Sequence, residues 1–120
     1  MPPIQTFEDI KAWQTGRSLT NHVYQVSADR PFSRDFALCD QIRRAAISIT
    51  SNIAEGFERE RDGEFVQFLR YAKASAGEVR SQLYIALDQK YIDRTEFDGL
   101  RQEAEDTIRL IRGLIRYLEK

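Results

Sequence analysis

The sequence predicts an all-α protein, an antiparallel up-down-up-down four-helix bundle that forms a single domain over residues 1–120. Two observations predict this fold. The three prolines all lie before residue 32, so the rest of the chain lacks the strongest helix breaker. Apolar residues also recur at steps of three and four along four separate segments, as they do on one face of a helix. The length suits one ordinary domain with one core.

Helix 1 is predicted over residues 6–28. Thr6 can cap its start, and Asp9, three residues on, completes a box-like pair that favours the positive end of the helix dipole. The helix must stop near Ala28, because Pro31 disfavours α geometry at the residue before it.

Helix 2 is predicted over residues 34–56. Ser33 is its expected N-cap, and Gly56 sits where a helix would end in a left-handed residue. Its apolar residues make one continuous face. They are Leu38, Ile42, Ala45, Ala46, Ile49 and Ile53.

Helices 3 and 4 follow a highly charged connector. Helix 3 is predicted from Asp62, as its cap, to about Gln89. Helix 4 is capped by either Asp93 or Thr95 and reaches almost to Lys120. Connections of about four to seven residues would return each helix beside its predecessor.

The composition excludes several classes of protein. Eighteen Lys and Arg nearly balance nineteen Asp and Glu, so any nucleic-acid site must be a local cluster of charge. The longest apolar run is only five residues, Leu83 to Leu87, against the about 18 that a membrane span requires. The segment from Met1 to Thr6 has no secretory-signal pattern. We therefore expect a cytoplasmic protein with no membrane partner.

No catalytic or metal-binding constellation is visible. His22 is the only histidine and Cys39 the only cysteine, so one chain can assemble neither a catalytic triad nor a His-based metal site. We expect His22 at the surface or its boundary and Cys39 as a packed structural thiol. Gly-rich phosphate loops and paired Glu-x-x-His motifs are missing. The sequence predicts a non-enzyme without cofactor or metal.

Helix 2 carries a polar stripe beside its apolar one. The stripe recurs at steps of three and four and consists of Gln41, Arg44, Ser48, Asn52 and Glu55. A small polar site inside the bundle or an inter-helix hydrogen-bond network would each explain it. The network is favoured, because buried polar groups must be paired.

Two basic stripes are the candidate binding surface. They have cationic side chains at helical spacing, and they are Arg70, Lys73 and Arg80 on helix 3, with Gly77 between, and Arg109, Arg112, Arg116 and Lys120 on helix 4. These side chains could contact the phosphates of RNA or DNA without sequence specificity. Glu105 and Asp106 can each pair with Arg109, so an ordinary solvated surface is the alternative.

Three blocks of the sequence carry a family resemblance. They are Phe7 to Gln14, Gln41 to Ala45 running on to Ser51 to Phe57, and Phe68 to Ala72 with Ser75 and Glu78. Over nearly its whole length the chain resembles the four-helix bundle proteins encoded in intervening sequences of bacterial 23S ribosomal RNA genes. The block from Asn52 to Gly56 is quite specific in that context, whereas the rest is generic bundle sequence.

The resemblance implies a cytoplasmic bacterial bundle that assembles as a homopentamer and has no catalytic activity. The family is similar to the accessory variability determinant of diversity-generating retroelements, a pentameric bundle that binds nucleic acid and a reverse transcriptase through a basic surface. The sequence departs from the usual family pattern at Lys73, Ala76 and Arg80. Those departures make helix 3 more basic and could weaken a shared inter-helix contact.

Two hypotheses of function follow. The first is a non-enzymatic homo-oligomer that binds RNA or DNA through the basic stripes, which a ring of identical subunits would multiply. The alternative is a protein-interaction scaffold or accessory subunit without direct nucleic-acid binding. Its subunit and partner contacts would come from exposed apolar side chains such as Trp13, Tyr24 and Phe36.

Overall fold

A computed structural model describes residues 4–120, and this range contains four α-helices and no strand. The predicted all-α, four-helix fold is confirmed. The helices are α1 Lys11–Ser27, α2 Phe36–Glu58, α3 Asp62–Asp88 and α4 Arg94–Leu118. Short 3-10 turns precede α1 and α2, at Phe7–Asp9 and Phe32–Arg34. Met1, Pro2 and Pro3, part of the segment without a signal pattern, lie outside the described residues.

Each helix packs against the next one, and α4 also packs against α1, which closes the bundle around one core. Near the start of α3, Arg70 contacts Glu119 at the end of α4. Near the end of α3, the ring of Tyr84 lies 4.9 Å from that of Phe97, at the start of α4. Helices α3 and α4 therefore run in opposite directions.

The core consists of the apolar stripes that the periodicity predicts. Its largest fully buried apolar side chains are Leu19, Val23, Phe32, Ile42, Ile49, Ile53, Leu69, Val79, Leu83, Phe97 and Ile111. Each buried Leu, Ile or Phe contributes roughly 1.5–3 kcal/mol relative to an exposed one, so the four stripes together hold the helices in place. None of the helices in residues 4–120 has the length and apolar character needed to cross a membrane.

The first helix begins later than predicted. Thr6 and Asp9 form the expected capping box, with the Asp9 carboxylate accepting the Thr6 N–H at 3.0 Å, but they enclose a single 3-10 turn. Ile10 then adopts extended geometry and buries its side chain in the core, so α1 begins at Lys11. The segment from residue 6 is therefore not part of one continuous helix as predicted, because the extended, buried Ile10 separates the 3-10 turn from α1.

The second helix begins at a different cap from the predicted Ser33. One carboxylate oxygen of Asp35 accepts the N–H of Leu38 at 3.0 Å, and the other accepts the Tyr91 hydroxyl at 3.0 Å. Ser33 lies inside the 3-10 turn that precedes this cap. Asp35 is a better-placed cap because it also ties α2 to the connection between α3 and α4.

Gly56 does not end helix 2, contrary to the prediction. It is helical and buried, and the helix continues to Glu58. A Cβ atom at position 56 would lie 2.7 Å from the Cβ of Phe68, so glycine is needed for the close approach of α3. The left-handed residue after α2 is instead Glu60, with φ 62°.

Helices α3 and α4 have nearly the predicted bounds. Arg61 occupies the N-cap of α3, so Asp62 is its first residue and not its cap. The left-handed residue Lys90 follows the end of α3. Of the two candidate caps for α4, Asp93 is the one used, and it exchanges hydrogen bonds with Glu96 in a capping box.

Candidate nucleic-acid interface

The basic residues of α3 lie on the edge of that helix that faces α4. Arg70, Lys73, Gly77, Arg80 and Tyr84 follow one another at steps of three and four and therefore share one side of the helix. The first and last of them contact α4 directly. We call this side the α4-facing edge of α3.

Three arginines of α4 lie along the same groove. Glu119 contacts Arg70 across it, and Arg116 and Arg112 precede Glu119 at steps of three and four. Arg109 lies one turn further along the exposed surface of α4. We call the whole surface the basic face. It consists of Arg70, Lys73, Arg80, Arg109, Arg112 and Arg116.

Acidic side chains neutralise only part of the basic face. Arg70 pairs with Glu119 at 2.9 Å. Arg109 pairs with Asp106, whereas Glu105, its other expected partner, pairs with Arg101 at 2.6 Å. Four cations of the face form no ion pair with any residue between 4 and 120. They are Lys73, Arg80, Arg112 and Arg116.

The pair on α4 is reinforced by a neighbour. Gln102 donates a hydrogen bond to Asp106 at 3.0 Å, and Arg109 donates another. These two hydrogen bonds lower the pKa of the Asp106 carboxyl below its ordinary value. The carboxylate therefore stays ionised and keeps Arg109 close to the helix surface.

The polar stripe of α2 joins α3 through some of its members. The hydroxyls of Ser48 and Ser75 of α3 lie 2.9 Å apart, and the Asn52 amide donates to the Ser48 hydroxyl at 2.9 Å. Ser75, which the sequence stripe does not include, supplies the inter-helix partner. This small cluster fixes the register of α2 against α3.

The remaining members of that stripe have local partners or solvent. Arg44 is exposed and pairs with Asp40 at 2.9 Å on the same helix. Glu55 pairs with Arg59, one turn later, at 2.8 Å. Gln41 is exposed. The structure thus leaves these three outside the inter-helix cluster.

The opposite side of α3 carries a second surface that sequence reasoning missed. Its residues follow one another at steps of three and four, and one of them, Ser75, contacts Ser48 of α2. They are Tyr71, Ser75, Glu78, Gln82 and Ile85, which we call the α2-facing edge. Tyr71 and Ile85 are 48% and 46% exposed. The Gln82 side chain is buried, and its Oε1 atom has no hydrogen-bond partner among residues 4–120. The helical spacing of these residues is visible in the sequence, but the row mixes apolar and polar residues and so lacks a uniform pattern.

The aromatic residues predicted to make partner contacts, and the single histidine, lie on or near α1. Trp13 is half-buried and packs edge-on against Phe7 at 5.1 Å, whereas Tyr24 and Phe36 are exposed. His22 is exposed and contacts Glu103 of α4.

Cys39 is buried, as predicted. Its Sγ donates to the Phe32 carbonyl at 3.2 Å. Burial raises the pKa of this thiol, which makes it a poor nucleophile. Within residues 4–120, no three His, Cys, Asp or Glu side chains are arranged to hold a metal ion.

Comparison with known proteins finds one matching family model and a similar solved structure. The family model described as 23S rRNA-intervening sequence protein matches residues 8–113. A crystal structure of a protein with unknown function from the S23 ribosomal protein family of Bacteroides thetaiotaomicron has a TM-score of 0.79 and 20% sequence identity. The alignment covers 87% of this chain and 97% of that one, and it shows a shared fold. No curated protein matches the chain.

Proposed function

The chain belongs to the 23S rRNA-intervening sequence protein family, and on that premise we propose that it is a cytoplasmic, non-enzymatic homo-oligomer that binds RNA or DNA. The contact surface is the basic face, which reads phosphates and not base sequence. The single observation that carries the proposal is the set of four cations without an acidic partner among residues 4–120 on the two sides of one groove. Phosphate neutralisation by such cations releases counterions and drives non-specific binding.

Assembly is supported by the α2-facing edge. Tyr71 and Ile85 expose apolar surface on the side of α3 away from the basic face. An orphaned acceptor on the buried Gln82 side chain lies in the same row, and a donor from another subunit would satisfy it. We propose a ring of five subunits, the number that the family resemblance implies. A ring would repeat the basic face around its axis and raise the local positive charge.

Salt-dependent binding tests the nucleic-acid part of the proposal. We expect the affinity for a labelled duplex to fall steeply with added salt, and the double substitution Arg112→Ala with Arg116→Ala to reduce the salt slope by about two. Arg44→Ala is the matched control, because Arg44 is an exposed arginine already paired on its own helix. Affinity that ignores both added salt and the double substitution would exclude the basic face as the contact surface.

Light scattering tests the assembly. Tyr71 and Tyr84 are each 48% exposed but lie on opposite edges of α3. We expect Tyr71→Arg to dissociate the oligomer into monomers, while Tyr84→Arg leaves its mass unchanged. A wild-type protein that is monomeric at micromolar concentration would refute the ring.

A protein-interaction scaffold or accessory subunit, for instance for a reverse transcriptase, is the second candidate. The exposed apolar side chains of the α2-facing edge favour it, because aromatic residues are enriched at protein interfaces. A pull-down distinguishes the two functions. Partners that stay bound after nuclease treatment would support the scaffold, and partners that are released would support nucleic-acid binding.

A further inference from the structure

An open pocket of about 700 Å³ lies between α1 and α2, away from the groove that the basic face flanks. Its apolar border is unusually accessible, since Phe36 is 76% exposed and Ile47 is 43% exposed. The polar residues of its lining are Tyr24, Ser27, Ser33, Asp40, Arg43 and Arg44. The neighbouring Cys39 is buried beneath it and already bonded to a carbonyl. Asp40 and Arg44 pair with each other at 2.9 Å, so Arg43 is the one charged residue of the lining without an ion pair among residues 4–120.

Arg43 is held in place by two contacts from α1. Its Nε–H donates to the Ser27 hydroxyl at 2.9 Å, and its guanidinium carbon lies 4.6 Å from the centre of the Tyr24 ring. No carboxylate among residues 4–120 pairs with it, and its two terminal nitrogens donate no hydrogen bond within that range. A fixed guanidinium with a free pair of donors is suited to two parallel hydrogen bonds to a phosphate.

The neighbouring Arg44 differs from Arg43 in its partners. Arg44 also lines the pocket, but Asp40 accepts from its Nε at 2.9 Å. Its charge is thus already compensated, whereas that of Arg43 is not. An apolar protein surface that covered Phe36 would also enclose Arg43 without a counter-charge, which is unfavourable. A ligand with both a flat ring and a phosphate satisfies the two features together.

From this geometry we infer that the α1–α2 pocket binds one nucleotide unit of a single-stranded nucleic acid, with its base against Phe36 and its phosphate on Arg43. Bases stack on exposed aromatic rings regardless of sequence. A single strand is required, because the bases of a duplex are stacked on one another and cannot reach Phe36. The inference rests on the proposed function, and it adds a strand-type preference that the basic face alone does not give.

Fluorescence anisotropy with two labelled probes, a short uridine oligomer and an RNA duplex of the same length, tests the pocket. Phe36→Ala should weaken binding of the single strand by roughly 5- to 100-fold, the range expected for losing one stacked base. Arg43→Gln should weaken it by about tenfold. Arg94→Gln, the matched control, removes an arginine that is paired on its own helix outside the pocket and should weaken binding by less than about twofold. Duplex binding should not respond to Phe36→Ala. Phe36 is so exposed that its replacement should leave the fold intact, which circular dichroism would check.

The outcomes separate the two proposals. If the Arg112 and Arg116 substitutions weaken binding of both probes while Phe36→Ala and Arg43→Gln change neither, the pocket is refuted and the basic face stands. If Phe36→Ala weakens both probes equally, or dissociates the oligomer in light scattering, the pocket does not select single strands and the inference is wrong. If the protein binds neither probe, both proposals fail together.

Discussion

Helix α3 has two edges that differ in how closely they meet their neighbours. Where α3 packs against α2, the backbones approach so closely that a single extra carbon at Gly56 would collide with Phe68, and paired hydroxyls fix the register. On the other edge, Gly77 has no atom within 4 Å of an added Cβ, and long cationic side chains line an open groove. The side of α3 that packs against α2 therefore contributes stability through close packing, whereas the α4-facing edge contributes positive charge.

This division explains why the basic face adds little to stability. Its ion pairs, such as Arg70 with Glu119, involve side chains about half exposed to solvent. Exposed pairs of this kind contribute roughly 0–1 kcal/mol, so their loss should leave the fold intact. The charges are therefore available for binding, and substitutions there can be interpreted as effects on affinity.

The largest effect is expected where α2 and α3 meet. Gly56→Ala should lower the free energy of unfolding by about 1–3 kcal/mol, because the new methyl group must displace Phe68 and Phe65. Urea denaturation would measure the change. Gly99→Ala is the matched control, since its Cβ would meet nothing within 4 Å and should not destabilise the protein. Equal stability of the two variants would show that the close approach of α2 and α3 does not require a glycine at position 56.

Gly56 also shows how far the sequence could predict this fold. Periodicity predicted four helices, because the apolar stripes bury one side of each helix and that burial dominates folding. Periodicity does not show which neighbour a glycine touches, and glycine is common at helix ends, so the sequence predicts a helix end at Gly56. The left-handed positions after α2 and α3 are Glu60 and Lys90, neither of which has the usual glycine signature.

The candidate site was predictable only in part. The basic residues of α3 and α4 could be predicted from spacing, but their placement around one groove depends on tertiary contacts such as that of Arg70 with Glu119. Arg43 gave no sequence signal, because Ser27 and Tyr24 of another helix determine its orientation. The assignment of these residues to nucleic-acid binding stays a prediction.

A smaller effect is expected from the hydroxyl pair that joins α2 to α3. Ser75→Ala removes the partner of Ser48 and should cost about 0.5–1.5 kcal/mol in the free energy of unfolding. The lower half of that range is expected, because Asn52 still donates to the Ser48 hydroxyl. Thermal denaturation of the variant beside the wild type measures this cost. A loss above about 3 kcal/mol would mean that Ser75 does more than pair with one hydroxyl.

On the opposite edge the same kind of small change should stabilise. Gly77→Ala replaces a glycine inside an open stretch of helix, and we expect a gain of about 0.5–1 kcal/mol from helix propensity. Urea denaturation gives the sign directly. A destabilised variant would show that the α4-facing edge packs as closely as the other one.

The smallest effect concerns pH and Arg109, the arginine of the basic face that pairs with Asp106 on α4. The pKa of Asp106 is lowered, chiefly by the hydrogen bond from Gln102 and then by that from Arg109. A carboxyl with a lowered folded-state pKa contributes stability above its unfolded pKa, and that contribution is lost as the pH falls through the folded value.

Carboxyl NMR titration should place the Asp106 pKa below 3.8, its ordinary value. Gln102→Ala and Arg109→Gln should each raise the Asp106 pKa, because each removes a group that stabilises the ionised carboxylate. Because Asp106 is exposed, global stability should hardly change, but its protonation frees Arg109 and adds a fifth uncompensated cation to the basic face. A pKa at or above the ordinary value would mean that Asp106 does not hold Arg109 in solution, and that the whole α4 stripe is available to phosphate at neutral pH.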